Sequence, residues 1–562
     1  MKTLLLTLVA SVGVSLCFAQ YVELVEDINP GLSGTSPNQL TVANNLLFFT
    51  ADDGVHGDEL AVMNSDEQVT VLDITPGAVG TDPDKLIGTD THLFFLTSNH
   101  DEGGDFESHS LWSSDGTLGG TQMLGTFPDP ALSIGITGMK TTSSLLFFVT
   151  AYEDQPWREL WRSDGTPEGT FMIDVNNDLV PSLVFDDFNP ATNEDELFFH
   201  GAFQGAIYRS NGTPAGTVVL VNNGVDPSPG EKILVHQNDL YYVTGGQGLR
   251  QQPLNGGNEQ IIIEDWGEPA VEKLLRVVEG KLYFMARDAA HGTELWIYDP
   301  SPSLKRPVRL VKDFYLGSVS SSILDPTEYK DKIYFGAKHR GYNGQYGVLA
   351  TGRELWSTTG APLDVQQLQD INPGGEDGLS YYFYPQVYAN RLFFAANDGE
   401  HGEELWVTDG YPGIKYYVDA PLNGGTFMVQ DLQTGIEGSS PFHLTVYNST
   451  LYFSANDGVH GRELHKFQIP EILPTEEITQ LSPIQVYPNP TRGAFFVGWK
   501  KDASIQGRGM LTVTNHRGKV VRKEQVSFPF TQQINLSHQE PGIYVVEVAV
   551  GDQRFTEKVV IN

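Results

Sequence analysis

Nine times the chain writes a short aromatic strand, and that repetition constrains its fold more than any other feature. Leu47-Phe48-Phe49, Leu93-Phe94-Phe95, Leu146-Phe147-Phe148, Leu197-Phe198-Phe199, Leu240-Tyr241-Tyr242, Leu282-Tyr283-Phe284, Ile333-Tyr334-Phe335, Leu392-Phe393-Phe394 and Leu451-Tyr452-Phe453 recur about every 50 residues. A period of that size belongs to repeat architectures, in which one unit cannot bury its own apolar faces and must stack on its neighbours. The 59 glycines and 11% aromatic residues in 562 suit many short strands joined by tight turns better than helices.

Residues 392–427 spell out one unit. Leu392-Phe393-Phe394-Ala395-Ala396 is apolar on both faces, as a strand covered on both sides must be. Asp398-Gly399 and His401-Gly402 supply residues able to adopt positive φ, so the chain reverses. Glu404-Leu405-Trp406-Val407 is the next strand, Asp409-Gly410 turns it, and a further apolar strand begins at Phe427. Elsewhere that turn is longer, as in Asp115-Gly116-Thr117 and Asp164-Gly165-Thr166, and strands such as Phe171-Met172-Ile173 or Val218-Val219-Leu220-Val221 follow it. A phrase like Asp370-Ile371-Asn372-Pro373-Gly374 then leads to a weaker strand before the next aromatic run. Four strands per repeat match a propeller blade better than a solenoid coil.

The ends of the repeat region complete each other. Val22-Glu23-Leu24-Val25-Glu26-Asp27-Ile28-Asn29-Pro30-Gly31 is a fourth-strand phrase without its first three strands, and the last repeat stops after Glu463-Leu464-His465 without writing a fourth. The sequence therefore predicts an all-β chain whose body is a single closed β-propeller, sealed by its N-terminal strand so that no sheet edge is left at the seam. Nine strand sets predict nine blades, above the usual four to eight. Eight is the alternative, because the repeats at 197–264 are the least regular and one of them is a candidate for an incomplete blade.

Residues 1–19 carry Lys2, an apolar run from Leu4 to Leu16 and a small residue before Gln20, the pattern of a secretory signal cleaved near Ala19 and Gln20. The run is too short to span a bilayer, and no later segment is apolar enough to do so. The only cysteine, Cys17, lies inside the signal, and Leu16 before it is not the small residue a lipidation site wants. The exported chain is thus expected to fold without disulfides, and thiol catalysis is excluded. Residues 484–562 hold 10 Lys+Arg and 6 Asp+Glu, a balance of +4 against −36 for the whole chain, which leaves −40 on the preceding 483 residues. So acidic a body repels nucleic acid and anionic lipid.

The hairpins between second and third strands repeat an acidic phrase: Asp53-Gly54-Val55-His56-Gly57-Asp58-Glu59, Ala290-His291-Gly292-Thr293-Glu294, Asp398 through Glu404, and Asp457-Gly458-Val459-His460-Gly461-Arg462-Glu463. A histidine three residues before a glutamate could hold a metal. A catalytic site is one place, however, and a set copied around a ring is architecture; these side chains are expected to satisfy hairpin backbone groups. Asp53, Asp398 and Asp457 stay as metal candidates, with calcium the cofactor the acidic turns admit and none required. The glutamate before Leu-Trp (Glu159, Glu294, Glu354, Glu404, with Glu59 and Glu463 equivalent) is expected between blades accepting hydrogen bonds, since a buried unpaired carboxylate is costly. Trp112, Trp161, Trp296, Trp356 and Trp406 share one strand position and are expected to pack between blades. GxSxG, HExxH, P-loop, GxGxxG and EF-hand patterns are absent from the sequence.

In a four-stranded blade the hairpins between second and third strands emerge on the same face as the loops from one blade to the next. That face gathers Asp53, Asp398, Asp457, Asp27, Asp73, Asp370 and Asp431, together with two insertions, Asn99 to His109 and Lys338 to Tyr346. Departures from a repeat are where function concentrates. The second insertion mixes cations and tyrosines on an acidic ring, so Lys338, His339, Arg340, Tyr342 and Tyr346 are the candidate ligand-binding residues.

The Asp-Gly-Thr turns resemble the Asp-box hairpins of sialidase-type propellers, where the aspartate ties its own turn together; here tryptophan precedes the turn, so only the structural role carries over. Beyond Pro470 the repeats stop. Residues 471–483 read as a polar, proline-marked linker, and 484–562 as a small β-sandwich of alternating apolar strands. Tyr487-Pro488-Asn489-Pro490-Thr491-Arg492-Gly493, the Pro541-Gly542-Ile543-Tyr544 strand and the final strand Lys558-Val559-Val560-Ile561 make this segment resemble the type A C-terminal sorting domain of the Bacteroidota type IX secretion system. The resemblance implies passage through the outer membrane, the secretion machinery and its sortase-like enzyme as partners, and attachment to the cell surface or release. Residues 20–470 resemble the Glu-Leu-Trp-x-x-Asp-Gly-Thr (hyalin-like) repeat proteins of the same bacteria, a likeness that brings no reaction.

The expected function is an exported, non-enzymatic binding or adhesion propeller for an extracellular glycan or protein. A polysaccharide-active hydrolase or lyase with its site in the funnel, and a structural surface component, are the alternatives.

Overall fold

The computed structural model describes residues 22–561 except 101–105, 128–132, 153–157, 174–190, 193–195, 202–205, 223–232, 325, 344–346, 362, 411–424, 469–483, 488–490, 492, 500–506, 516–518, 529, 540–541 and 551–552. The expected signal at Ala19 and Gln20 and the linker 471–483 lie outside them. The chain divides into two compact units, Met1–Ile469 and Pro470–Asn562.

Among the described residues the first unit holds nine four-stranded antiparallel sheets, each a meander of strands a to d. The first eight lie in chain order within 38–72, 84–127, 133–172, 191–222, 233–263, 270–310, 327–369 and 386–428. The ninth takes strands a to c from Phe442–Tyr447, Thr450–Asn456 and Arg462–Phe467, and its fourth strand is Val22–Leu24. The stretch at 197–264, where an incomplete unit was the alternative expectation, builds two full sheets. Tyr241 and Tyr242 supply the buried second strand there although the Glu-Leu-Trp phrase is missing from the third.

Packing explains why the aromatic strands are apolar on both faces. Successive residues of a strand point to opposite sides of its sheet. Leu47 and Phe49 pack with Tyr447, Tyr452 and Leu464 of the ninth sheet, while Phe48 packs with Leu93 and Phe95 of the second. The same division continues around the unit, each core joining one sheet to the next. Every fully buried aromatic ring contributes roughly 1.5–3 kcal/mol, so stability lies between sheets rather than inside any one of them, in a propeller-like arrangement. The third-strand tryptophans follow suit. Trp296, Trp356 and Trp406 are buried in these inter-sheet cores, Trp112 stacks on Phe95 at 6.0 Å and Trp161 on Phe148 at 5.9 Å.

The pairing expected between the chain's first strand and its last hairpin is present. Val22, Glu23 and Leu24 face Phe467, Lys466 and His465, the Val25 N–H donates to the Leu464 carbonyl at 2.9 Å and the Ser36 N–H to the Arg462 carbonyl at 2.9 Å. Lys466 of the ninth sheet reaches Glu67 of the first at 2.6 Å, beside the Tyr452 hydroxyl at 3.0 Å from the same carboxylate.

The second unit is two sheets over one core. Ile484–Tyr487, Ala494–Trp499 and Thr531–Asn535 form one; Val520–Phe528, Gly507–Asn515, Gly542–Val550 and Gln553–Ile561 form the other. Phe495, Val497, Leu511, Val513, Ile534, Tyr544, Val546 and Val559 fill the space between them. Tyr487 ends the first strand, with Pro488, Asn489, Pro490 and Pro541 outside the described residues. Gly493 has φ +108°, and a Cβ there would meet the Ser537 backbone at 2.6 Å, so the motif requires glycine.

Candidate functional site

The repeated acidic phrase is largely accounted for by backbone satisfaction. Asp53 accepts the N–H groups of Val55 and His56 at 2.9 and 2.8 Å and holds the His56 ring at 2.7 Å. Asp398 does the same for Glu400 and His401 at 2.9 Å, with the ring at 2.8 Å. Asp457 repeats it with Val459 and His460 at 2.8 Å, with the ring at 2.6 Å. The carboxylates named as metal candidates thus bind their own hairpins, and among the described residues no group of three or more His, Cys, Asp or Glu side chains gathers as a metal set. The longer turns behave likewise: Asp115 accepts from the N–H and hydroxyl of Thr117 at 2.9 and 2.8 Å, and Asp164 from those of Thr166 at 3.0 and 2.7 Å.

The glutamate of the phrase is a clamp. Glu59, Glu294, Glu354, Glu404 and Glu463 are fully buried. Each sits on strand c and accepts hydrogen bonds from the loop running to the next sheet. Glu354 takes the Ile371 N–H at 2.8 Å, Glu404 the Ser439 N–H at 3.0 Å and hydroxyl at 2.5 Å, and Glu463 the Thr35 N–H at 2.8 Å across the seam. Burial pushes Glu294 and Glu404 up to about 7 and Glu354 to about 8, against the lowering effect of those hydrogen bonds.

The residue just before the clamp is where the repeat varies: Asp58, Thr293, Arg353, Glu403 and Arg462. Arg353, Glu403 and Arg462 belong to the seventh, eighth and ninth sheets and alternate in charge. The loops beside them vary too. Ser36-Pro37, Asp82-Pro83 and Ser440-Pro441 precede strand a in the first, second and ninth sheets, whereas the eighth inserts Tyr381-Tyr382-Phe383-Tyr384 between Ser380 and Pro385. Phe383 is buried in the inter-sheet core, but Tyr381, Tyr382 and Tyr384 are 73, 66 and 63% exposed.

These departures meet. A cavity of about 350 Å³ is lined by Ser36, Pro37 and Asn38 from the first sheet's loop, Ser380 and Tyr382 from the insertion, Glu403, Ser440, Pro441, Phe442, Ser454 and Arg462, with Ala395 on its wall. Phe442 receives Tyr382 and Tyr384 edge-on, at 6.1 and 6.4 Å between centroids. Arg462 donates to the Ser440 carbonyl at 3.0 Å and to Ser454 at 3.3 Å. Glu403 is pushed up by burial, with the Ser380 hydroxyl and the charge of Arg462 opposing the shift. Bulges at 38–41 and 442–445, with Gln39 and His443 at positive φ, turn the first residues of both strands toward the opening. Burial drives His443 down to about 4, so its imidazole is neutral there. The cavity thus combines apolar ring edges, hydroxyls and one ionisable side chain of each sign.

The five residues expected to bind ligand are placed differently. Lys332–Asn343 and Gly347–Thr358 form one long hairpin rather than a loop. Phe314–Leu316 grips its outer half, the Arg340 N–H donating to the Phe314 carbonyl at 2.8 Å. Lys338 pairs with Asp377 at 3.2 Å. His339 packs on Trp356 at 5.2 Å, and burial lowers it to about 4. Arg340 is exposed above the Tyr315 ring at 5.7 Å; Tyr342 lies on the strand, its side chain outside the described set, and Tyr346 is outside it altogether. The inserted aromatic run escaped notice in the sequence because its composition resembles one more aromatic strand. The signal was its position between the Ser and the Pro of an otherwise fixed loop.

Residues 485–562 match the model of the secretion-system C-terminal sorting domain family. The chain is exported by type IX secretion to the cell surface or the medium, and no described helix is long and apolar enough to cross a membrane. No curated protein matches the chain. Among solved structures it is similar to PorZ, a bacterial surface component of the type IX secretion system of Porphyromonas gingivalis, at 12% identity over 94% of this chain and 82% of that one, TM-score 0.24. It is also similar to BamB of Moraxella catarrhalis at 12% identity, over 69% and 94% of the two chains, TM-score 0.34. The β-propeller domain of the Trilobed protease of Pyrococcus furiosus matches at 10% identity over 61% and 97%, TM-score 0.30. At these scores the three likenesses carry no functional argument.

Proposed function

We propose that this exported protein is a non-enzymatic glycan receptor. Residues 20–470 form a closed nine-bladed propeller sealed by Val22–Leu24, and residues 484–562 are the delivery domain that the secretion machinery and its sortase-like enzyme recognise. The ligand, a saccharide outside the cell, sits in the cavity where the eighth, ninth and first sheets meet. The observation that carries this is the aromatic insertion 381–384, which opens onto a cavity holding Glu403 and Arg462 beside serine hydroxyls. The ring is supported by the nine inter-sheet cores among the described residues, one of which joins the ninth sheet to the first. Class averages viewed down the axis in the electron microscope are expected to contain nine lobes; eight lobes, or an open arc, refute the ring.

The function is tested on a glycan array with the full secreted chain, with and without calcium, alongside a reducing-sugar release assay. Saccharide binding without turnover is expected, and binding is expected to survive chelation because the hairpin carboxylates already hold their own turns. Steady release of reducing ends would make the protein a hydrolase, with Glu403 the first residue to mutate. A lyase would instead leave unsaturated products absorbing in the near ultraviolet.

A further inference from the structure

A second cavity, about 470 Å³, opens between the fifth and sixth sheets and is lined by Gly246, Gln247, Trp266, Gly267, Glu268, Ala270, Arg287, Asp288, Ala289 and Ser318. Trp266 is 86% exposed, and its backbone is left-handed at φ 59°. A bulky residue in that region is a genuine outlier that the surroundings must impose. Here the surroundings impose it: the Trp266 N–H donates to the Gly246 carbonyl at 2.8 Å, and the Gly267 N–H to the Glu264 carbonyl at 3.1 Å. Asp265 beside it is held by Arg250 at 3.2 Å. The indole is therefore presented by a fixed loop rather than left dangling.

The walls around that indole are small. Gly246 has no room for a side chain, because a Cβ would lie 2.7 Å from Asp265, and Gly267, Ala270 and Ala289 likewise add no bulk to the lining. The rim carries Gln247, Glu268 and Arg287, all exposed. We infer that Trp266 is a stacking platform for a neutral saccharide, with the C–H face of one sugar ring against the indole and its hydroxyls bonded by Gln247, Glu268 and Arg287. The balance of −40 on the first 483 residues disfavours an acidic polysaccharide or an anionic lipid surface. The site is separate from the cavity of the eighth, ninth and first sheets, and neither depends on the other.

The test follows tryptophan emission of the full secreted chain during titration with cellohexaose, xylohexaose, mannohexaose and chitohexaose. At least one is expected to shift the emission to the blue, and Trp266→Ala to abolish the shift and weaken calorimetric binding about tenfold, as loss of an aromatic anchor covered by its ligand does. Trp266→Gly relieves the backbone and keeps the fold, so the same loss with an unchanged melting temperature excludes misfolding as its cause. Tyr382→Ala is expected to leave the shift intact, which separates this site from the other. A shift that persists in both Trp266 variants, no shift with any of the four sugars, or a shift produced by phosphatidylcholine vesicles instead would each overturn the inference.

Discussion

The eighth and fifth sheets solve the same problem with opposite polarity. In the eighth, the loop to the next sheet is held by a carboxylate on strand c: Glu404 accepts the N–H groups of Gln433 and Ser439 at 3.2 and 3.0 Å. The fifth sheet has no such glutamate, and its third strand reads Leu249-Arg250-Gln251-Gln252-Pro253. There the carboxylate comes from the loop itself. Asp265 takes the Thr244 hydroxyl and the Arg250 guanidinium, both from the sheet it leaves. The fifth sheet thus replaces a buried carboxylate on strand c with a solvent-exposed carboxylate on the departing loop. Once Asp265 takes over the tie, the rest of the loop is released from the repeated phrase, and Trp266 occupies the freed position.

That equivalence breaks first under mutation of the ties. Glu354→Ala would leave the Ile371 N–H buried without an acceptor, and a stability loss of about 3 kcal/mol is expected in calorimetric unfolding of the first unit. Asp265→Ala is expected to lose less, because Asp265 is exposed to solvent and water can replace it. Equal losses would mean that the fifth sheet is tied as tightly as the others. The glutamate clamps also respond to pH. Glu294, Glu354 and Glu404 titrate at about 7, 8 and 7, above their ordinary value of 4.5. A carboxyl whose folded pKa is raised contributes stability that is fully present below its unfolded pKa and is lost as pH rises through the folded one. The melting temperature is therefore expected to fall by several degrees between pH 5 and pH 9, and the triple variant Glu294→Gln, Glu354→Gln, Glu404→Gln to flatten that slope. A slope unchanged in the triple variant would assign the pH dependence to other groups.

The regular sheets were legible because one physical requirement, burial against a neighbour on both faces, writes itself as Leu-Phe-Phe at a fixed period. The seam was legible because a strand pairs only where its partner is missing. The candidate sites were harder to read for a related reason: repeat logic recognises a departure by its length or charge, and neither tells how the departing segment is placed. The segment Lys338–Tyr346 is long and basic, yet its described part continues a ladder, with Lys338 paired and His339 packed. Tyr381–Tyr384 is short and apolar, so it resembled core, and only Phe383 is core. Whether an aromatic faces the interior or the solvent is decided by the direction of the loop that carries it, which no local composition encodes. Trp266 is the same case in one residue.

The smallest effect on stability, and the sharpest on binding, is expected within that run of tyrosines. Tyr381 lies over the buried Arg353 guanidinium at 4.3 Å, and Arg353 in turn holds Asp377 at 3.1 Å. Removing Tyr381 strips a cation–π partner from a buried charge and is expected to cost about 1 kcal/mol. Tyr382 and Tyr384 are mostly exposed and meet the half-buried Phe442 ring edge-on, so Tyr382→Ala with Tyr384→Ala is expected to change stability by less than about 0.5 kcal/mol. If the cavity beside them binds saccharide, the same double variant loses that binding while Tyr381→Ala keeps most of it. The reverse pattern, with a destabilised double variant that still binds, would make the inserted run an element of packing and leave the cavity of the fifth and sixth sheets as the place where saccharide binds.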